Sequence, residues 1–199
     1  MSQQASSERV MAALSAALAD SRDARDPEAA VACFTRATRA VLGDESRLAR
    51  PDALKPGETQ FVVSGCFFIA PSGDHMILCS PNGFPPDQTH ARISVTDSRP
   101  GHTVQTGAPA VVPNTDVDPI FRQILASGVV GCSVYVPVFW EGRVIGMFNT
   151  AAQARYFFDE RDLAAQVTFA AAAAATWMAK GGPAYLAELS ASLPPWSAR

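Results

Sequence analysis

Apolar positions follow two rhythms along the chain, and the change from one to the other divides it. Over residues 7–20, Val10, Met11, Leu14 and Leu18 recur at helical spacing, with Ser6 or Ser7 placed to cap, which predicts an amphipathic helix. A charged break at residues 21–26 leads to Pro27, a residue suited to a first helical turn. Ala30, Val31, Phe34, Thr38, Val41 and Leu42 then share one face until Gly43 stops the second helix. Residues 44–59 hold two prolines, a glycine and mixed charges with no period, and read as a loop.

From residue 60 the pattern becomes that of strands. Residues 60–70 are rich in Val and Phe, the cluster Pro71, Ser72, Gly73, Asp74 is turn chemistry, and residues 75–80 are apolar again, so the pair predicts a β-hairpin. Further strands are expected at 91–96, 110–113, 131–140 and 143–150, the last two joined at Glu141 and Gly142. Two short helices are expected between them, one at 101–106 and one at 119–127 with Asp118 as N-cap and Pro119 as its first residue. A long helix over 159–180 is stopped by Gly181, Gly182 and Pro183, and a short one over 185–193 ends at Pro194 and Pro195. Helices, then hairpin-connected strands, then helices is an α+β pattern with an antiparallel sheet. No GxGxxG, Walker A or HExxH pattern occurs, and no internal repeat is visible.

Composition narrows the class. With 199 residues, 48% hydrophobic and 18% charged, the chain can bury one substantial core. Its expected divisions are a helix and linker over 1–26, the main domain over 27–180, and a short helix and tail over 181–199. Sixteen basic against nineteen acidic residues give a net charge of −3, with no basic block to track a phosphate backbone, so direct nucleic-acid binding is not expected. The longest apolar run, 167–178, is far short of the roughly 20 residues a bilayer demands. The polar N-terminus lacks a secretory pattern, so a cytoplasmic protein without membrane attachment is expected. Cys33, Cys66, Cys79 and Cys132 have neither metal-ligand nor disulfide-framework spacing and are expected to be thiols.

Residues 91–163 resemble the GAF domain family of small-molecule sensor modules. The run from Arg99 through Gly101, Thr106, Gly107 and Pro109 is similar to its glycine turn, short helix and "TG-x-P" exit. Val111 to Asn114, followed by Asp118, Pro119, Ile120 and Phe121, resembles its "VxD" strand and "DPxF" start. Ser133 to Val138, Gly142 to Met147, and Phe158 with Asp159, Asp162 and Leu163 resemble "SxLxVPL", "GxVIGxL" and "FxxxD". The resemblance implies a central antiparallel sheet with the N- and C-terminal helices on one face and a ligand pocket on the other. The pocket would be roofed by residues 97–127.

Within that frame the candidate ligand-binding residues are Cys66, Phe68, Arg99, His102, Asp116, Ile120, Phe121, Ser133 and Tyr135. Arg99 and His102 would sit at a short helix start, where positive side chains and open N–H groups can hold a small anion. Alignment to the family puts Ser64, Cys66 and Phe68 on the cavity side, together with Ser133 and Tyr135, and one register slip would reverse this. Asn149, Phe158 and Asp162 match part of the set of cyclic-nucleotide-binding relatives, but Thr150 and Leu163 replace its Lys and Glu. No cysteine stands beside a roof histidine, as bilin attachment would require. Free methionine sulfoxide reductases, an enzymatic branch, use roof cysteines, and residues 97–130 contain none. No cofactor is named by any motif, and no catalytic residue or metal ligand is assigned. The expectation is a non-catalytic sensor or regulatory protein that binds a small molecule or small anion and signals through a homodimer interface or a separate output protein. Two alternatives remain: a cysteine-dependent redox enzyme, and a dimerisation module without ligand.

Overall fold

The computed structural model describes residues 3–124 and 128–197. In chain order the elements are α1 (Gln3–Asp23), α2 (Pro27–Val41), β1 (Val62–Ile69), β2 (His75–Asn82), β3 (Arg92–Ser94) and α3 (Ser98–Thr106). After them come β4 (Ala110–Val112), β5 (Cys132–Trp140), β6 (Arg143–Ala152), α4 (Glu160–Ala179) and α5 (Gly182–Ser192). The strands pair antiparallel in the order β3-β2-β1-β6-β5-β4. Helices α2 and α4 lie on one sheet face, α1 packs outside α2, and α5 packs on α4. The chain is therefore α+β, as its hydrophobic rhythm predicts.

Local chemistry fixes the helix starts. The Asp26 carboxylate accepts the N–H of Ala29 at 2.7 Å, and Pro27 fills the first helical position of α2. At α4, Asp159 accepts the N–H groups of Arg161 and Asp162 while Asp162 accepts that of Asp159, a reciprocal capping box. Asp162 also accepts the N–H of Gly43 at 2.9 Å, pinning the end of α2 to the start of α4. Burial outweighs these bonds and raises its carboxyl above the usual range. Close approach requires one sheet glycine: a Cβ on Gly146 would lie 2.2 Å from the carbonyl oxygen of Phe67 on β1.

The two sheet faces carry different cores. Toward the helices point Cys66, Phe68, Ile77, Cys79, Val134, Val136 and Phe148, together with Phe34 of α2 and Phe169 and Trp177 of α4. The rings of Phe68 and Trp177 stack with centroids 3.8 Å apart, worth about 1 kcal/mol beyond their burial. Toward the other face point Phe67, Met76, Leu78, Tyr135 and Met147 with Ile93 of β3 and Val112 of β4, and Val104 of α3 packs on them. Cys66 and Phe68 thus stand on the helix side, opposite to the side expected for them. Ser64 joins them there, hydrogen-bonded to Thr38 of α2 at 2.8 Å. The reason is parity: β1 is buried on both faces, so its apolar run has no alternation to mark which residues face which layer.

The expected helix over 119–127 is absent from residues 119–124, and its remaining residues lie outside the described ones. Side chains satisfy this backbone instead. Asp118 accepts the N–H of Ile120 at 2.9 Å and of Phe121 at 2.7 Å, and Ser98 bonds both the N–H and the carbonyl of Arg122. Helix α3 begins at Ser98, three residues before the expected start. Among the described residues, no helix is long and apolar enough to cross a membrane.

Candidate functional site

The sheet face opposite α2 and α4 carries a half-open cavity of about 60 Å³, measured as the space open to the centre of a water molecule. Val63 of β1, Met147 and Ala151 of β6, Phe84, Phe121 and Val130 make most of its wall apolar. Tyr135 and Asn149 supply the polar part of its floor. They are cross-strand partners on β5 and β6.

Asn149 is oriented by its own bonds. Its Nδ2 donates to Ser133 Oγ at 2.6 Å and to the carbonyl of Val134 at 3.1 Å, which fixes the plane of the amide. Ser133 Oγ in turn donates to the carbonyl of Thr150 at 3.2 Å, so that hydroxyl is spent on the sheet. Tyr135 is buried, which pushes its phenol up and keeps it protonated as a donor at neutral pH. The carbonyl of Val134 has a second partner. From the helix face Gln166 Nε2 donates to it at 3.3 Å and to the carbonyl of Phe148 at 2.9 Å.

Phe121 and Tyr135 line this one cavity, and Ser133 backs it through Asn149. Arg99 is held instead by Asp118, through Nε to Oδ1 at 2.9 Å and a second short contact from Nη2 to Oδ2. Burial alone would raise the carboxyl of Asp118, but Arg99 and the Phe121 and Ile120 amides hold it below its usual range. Arg99 is therefore a brace of the roof, its charge neutralised, rather than an open anion site. His102, half-buried on α3, and Ile120 lie outside the lining.

Asp116 belongs to a separate cluster. It pairs with Arg155 at 2.9 Å and with Lys55 at 2.8 Å, and Arg155 also meets Glu58 in a short contact. With only 1% of its side chain exposed, Arg155 ties the 55–58 loop to the segment after β4. Asn149, Met147, Val63 and Phe84 are lining residues beyond the expected set. Only Asn149 carried a sequence signal, through its match to the nucleotide-binding relatives.

The thiols are remote from the cavity. Cys66 and Cys79 face each other across β1 and β2 beneath the helices, where burial pushes both thiols up. Burial pushes Cys132 up to about 11, and Cys33 is buried on α2. Among the described residues, no cluster of three or more His, Cys, Asp or Glu is placed to hold a metal ion.

A sequence profile described as the GAF domain matches residues 57–177, more than half of the chain. The chain belongs to the GAF domain family. Solved GAF structures share its fold. The GAF domain of a phosphoenolpyruvate-protein phosphotransferase from Coxiella burnetii is 16% identical with a TM-score of 0.70, covering 88% of this chain and 98% of that one. The free methionine-R-sulfoxide reductase of Neisseria meningitidis, solved with its substrate, is 20% identical with a TM-score of 0.67, covering 87% and 90%. The GAF domain of a phosphoenolpyruvate-protein phosphotransferase from Acinetobacter is 12% identical with a TM-score of 0.67, covering 98% and 99%. At these identities the likeness establishes the GAF fold. No curated protein sequence matches the chain significantly.

Proposed function

We propose that this GAF protein is a non-catalytic sensor that binds a small molecule in the cavity and passes its occupancy to the helical layer. The observation that carries the reading is the shared carbonyl of Val134. It accepts from Asn149 on the cavity floor and from Gln166 of α4 on the opposite face. A ligand that takes hold of Asn149 changes the partner set of a carbonyl on which α4 also rests. The buried thiols, all away from the cavity, favour this reading over cysteine redox chemistry.

The signal leaves through a homodimer in this account. Leu14 and Ala17 of α1 are buried in the protomer, while Met11 and Leu18 stay exposed on α1 and Val167 on α4. Pairing two copies through these helices covers that surface with the symmetry commonest among oligomers. A separate output protein could dock on the same layer.

Native mass spectrometry of freshly purified protein tests the binding. The expected result is a small non-covalent adduct of constant mass that denaturation releases and that Ala151→Leu, which fills the cavity, loses. Protein that never carries an adduct, and binds nothing in a metabolite screen, overturns the sensor reading.

A further inference from the structure

We infer that a groove beside α2 is a docking site for an extended, acidic peptide segment of a partner protein. The groove lies outside the cavity, and the inference stands whether or not the cavity takes a ligand.

Two clefts, of about 410 and 330 Å³, meet at Arg39, Ala40, Glu45 and Val62 to form the groove. Three exposed arginines line it, each held by neutral acceptors. Arg9 of α1 donates from Nη2 to the carbonyl of Ala40 at 2.5 Å. Arg36 donates from Nη2 to Cys33 Sγ at 3.2 Å. Arg39 donates from Nε to the carbonyl of Val62 at 2.7 Å and from Nη1 to Asn82 Oδ1 at 3.3 Å. The chain after β2 is shaped around this side chain: Gly83 has a φ of +82°, and a Cβ there would lie 2.7 Å from Arg39 Nε. Among the described residues, none of these three guanidiniums pairs with a carboxylate. They are positioned without being neutralised, and each keeps N–H groups free for an anion.

Elsewhere in the groove the charges are spent. Arg47 and Arg161 pair with Asp159, and Arg47 also meets Asp44. Asp162 accepts the N–H groups of Gly43 and Asp159. Exposed Glu45 is the one lining carboxylate that has no partner among the described residues. It stands against three unpaired arginines, so this end of the groove is positive although the chain as a whole is negative.

The placement of the arginines selects an extended occupant. Cys33 and Ala40, which anchor Arg36 and Arg9, stand seven positions apart on one face of α2, about 10 Å along its axis at roughly 1.5 Å per residue. One carboxylate or phosphate is too small to bridge that length. Alternate residues of an extended peptide, roughly 6.5 Å apart, set carboxylates along it. Glu45 and the apolar flank of Phe61 and Val62 favour a peptide over a nucleic-acid backbone. A peptide can place a neutral or apolar side chain beside them, whereas a phosphate chain carries charge at every unit.

The test uses the full ¹⁵N-labelled chain and a capped seven-residue peptide of alternating Ala and Glu, with a Gln-for-Glu peptide, inorganic phosphate and a short single-stranded DNA as comparisons. The acidic peptide is expected to shift the Nε–H signals of Arg36 and Arg39 and the backbone amides of Ala40 and Val62 saturably. The Gln peptide and phosphate should each bind about ten-fold more weakly or worse, and about 0.5 M salt should abolish the shifts. Arg36→Gln and Arg39→Gln should each weaken the peptide about three-fold or more, and Glu45→Gln should tighten it. Should Arg39→Gln lose the dispersed spectrum of a folded protein, Arg36→Gln, an exposed position, carries the test. A Gln peptide or phosphate bound as well as the acidic peptide, tighter binding of the DNA, or no saturable shift with the acidic peptide overturns the inference. None of these outcomes bears on the sensor reading, which the adduct experiment tests separately.

Discussion

Asn149 and Gln166 approach the same carbonyl, that of Val134, from opposite faces of the sheet, at 3.1 Å and 3.3 Å. The first belongs to the cavity floor and the second is a fully buried side chain of α4. The shared carbonyl opens the pair to a direct energetic test. Gln166→Leu is expected to cost about 1 kcal/mol or less. The bonds lost to Val134 and Phe148 are offset by removing Gln166 Oε1, which is buried without a partner. Asn149→Ala is expected to cost about 1 kcal/mol. In urea denaturation the double variant should depart from additivity by about 0.5 kcal/mol or more. Strict additivity would mean that the two amides do not sense each other.

The buried thiols make a second prediction. Native protein should react with iodoacetamide or an aromatic disulfide reagent only as fast as it unfolds, because burial disfavours the thiolates of Cys66, Cys79 and Cys132. Cysteine-to-alanine variants should lose stability by about 1–2 kcal/mol where a void is left, yet keep any ligand retained by the folded protein. A folded single-cysteine variant that loses an activity would contradict the non-catalytic account.

Acid should act through the cluster around Arg155. The carboxyl of Asp116 is lowered by its bonds to Arg155 and Lys55. That of Glu58 would be raised by burial but is lowered on balance by Arg155. Folded-state values below the unfolded ones mean stability that is present above about pH 4 and lost as pH falls through the folded-state values. Asp162 has the opposite sign, since burial raises its carboxyl, so its contribution partly offsets the loss. Arg155→Met should destabilise by about 3 kcal/mol at neutral pH, because it leaves the carboxylates of Asp116 and Glu58 facing each other. It should also flatten the dependence of urea midpoint on pH between about 5 and 3. An unchanged pH dependence in this variant would contradict the assignment.

The dimer is tested by sedimentation equilibrium at micromolar concentration. A mass near twice 21.1 kDa is expected, reduced to the monomer by charged substitutions at Met11 and Leu18. Leu14 is a poor probe because it is buried within the protomer. A monomer at every concentration contradicts this part of the account.

Much of the fold is legible because each element announces itself locally. Asp26 with Pro27, Asp159 with Asp162, and the Glu141-Gly142 turn mark boundaries by chemistry that acts within a few residues. The cavity is less legible because its decisive facts are non-local. A strand buried on both faces hides its parity, so Cys66 and Phe68 read as cavity residues while Val63 and Phe67 occupy that face. Arg99 reads as an anion site until Asp118, nineteen residues on, closes over it. Asp116 reads as roof until Arg155, thirty-nine residues on, claims it. The 119–124 segment misleads for a third reason. Asp118 is a good cap, but its bonds and those of Ser98 hold the chain in turns rather than starting a helix.

The central claim is that occupancy of the cavity is felt in α4. The most direct measurement compares two ¹⁵N NMR spectra of the chain, one of protein as purified and one of protein unfolded, freed of small molecules and refolded. The account predicts that removing the ligand shifts the side-chain amides of both Asn149 and Gln166 and the backbone amides of α4 that flank Gln166. Shifts confined to the cavity side, with Gln166 and α4 unmoved, would contradict it.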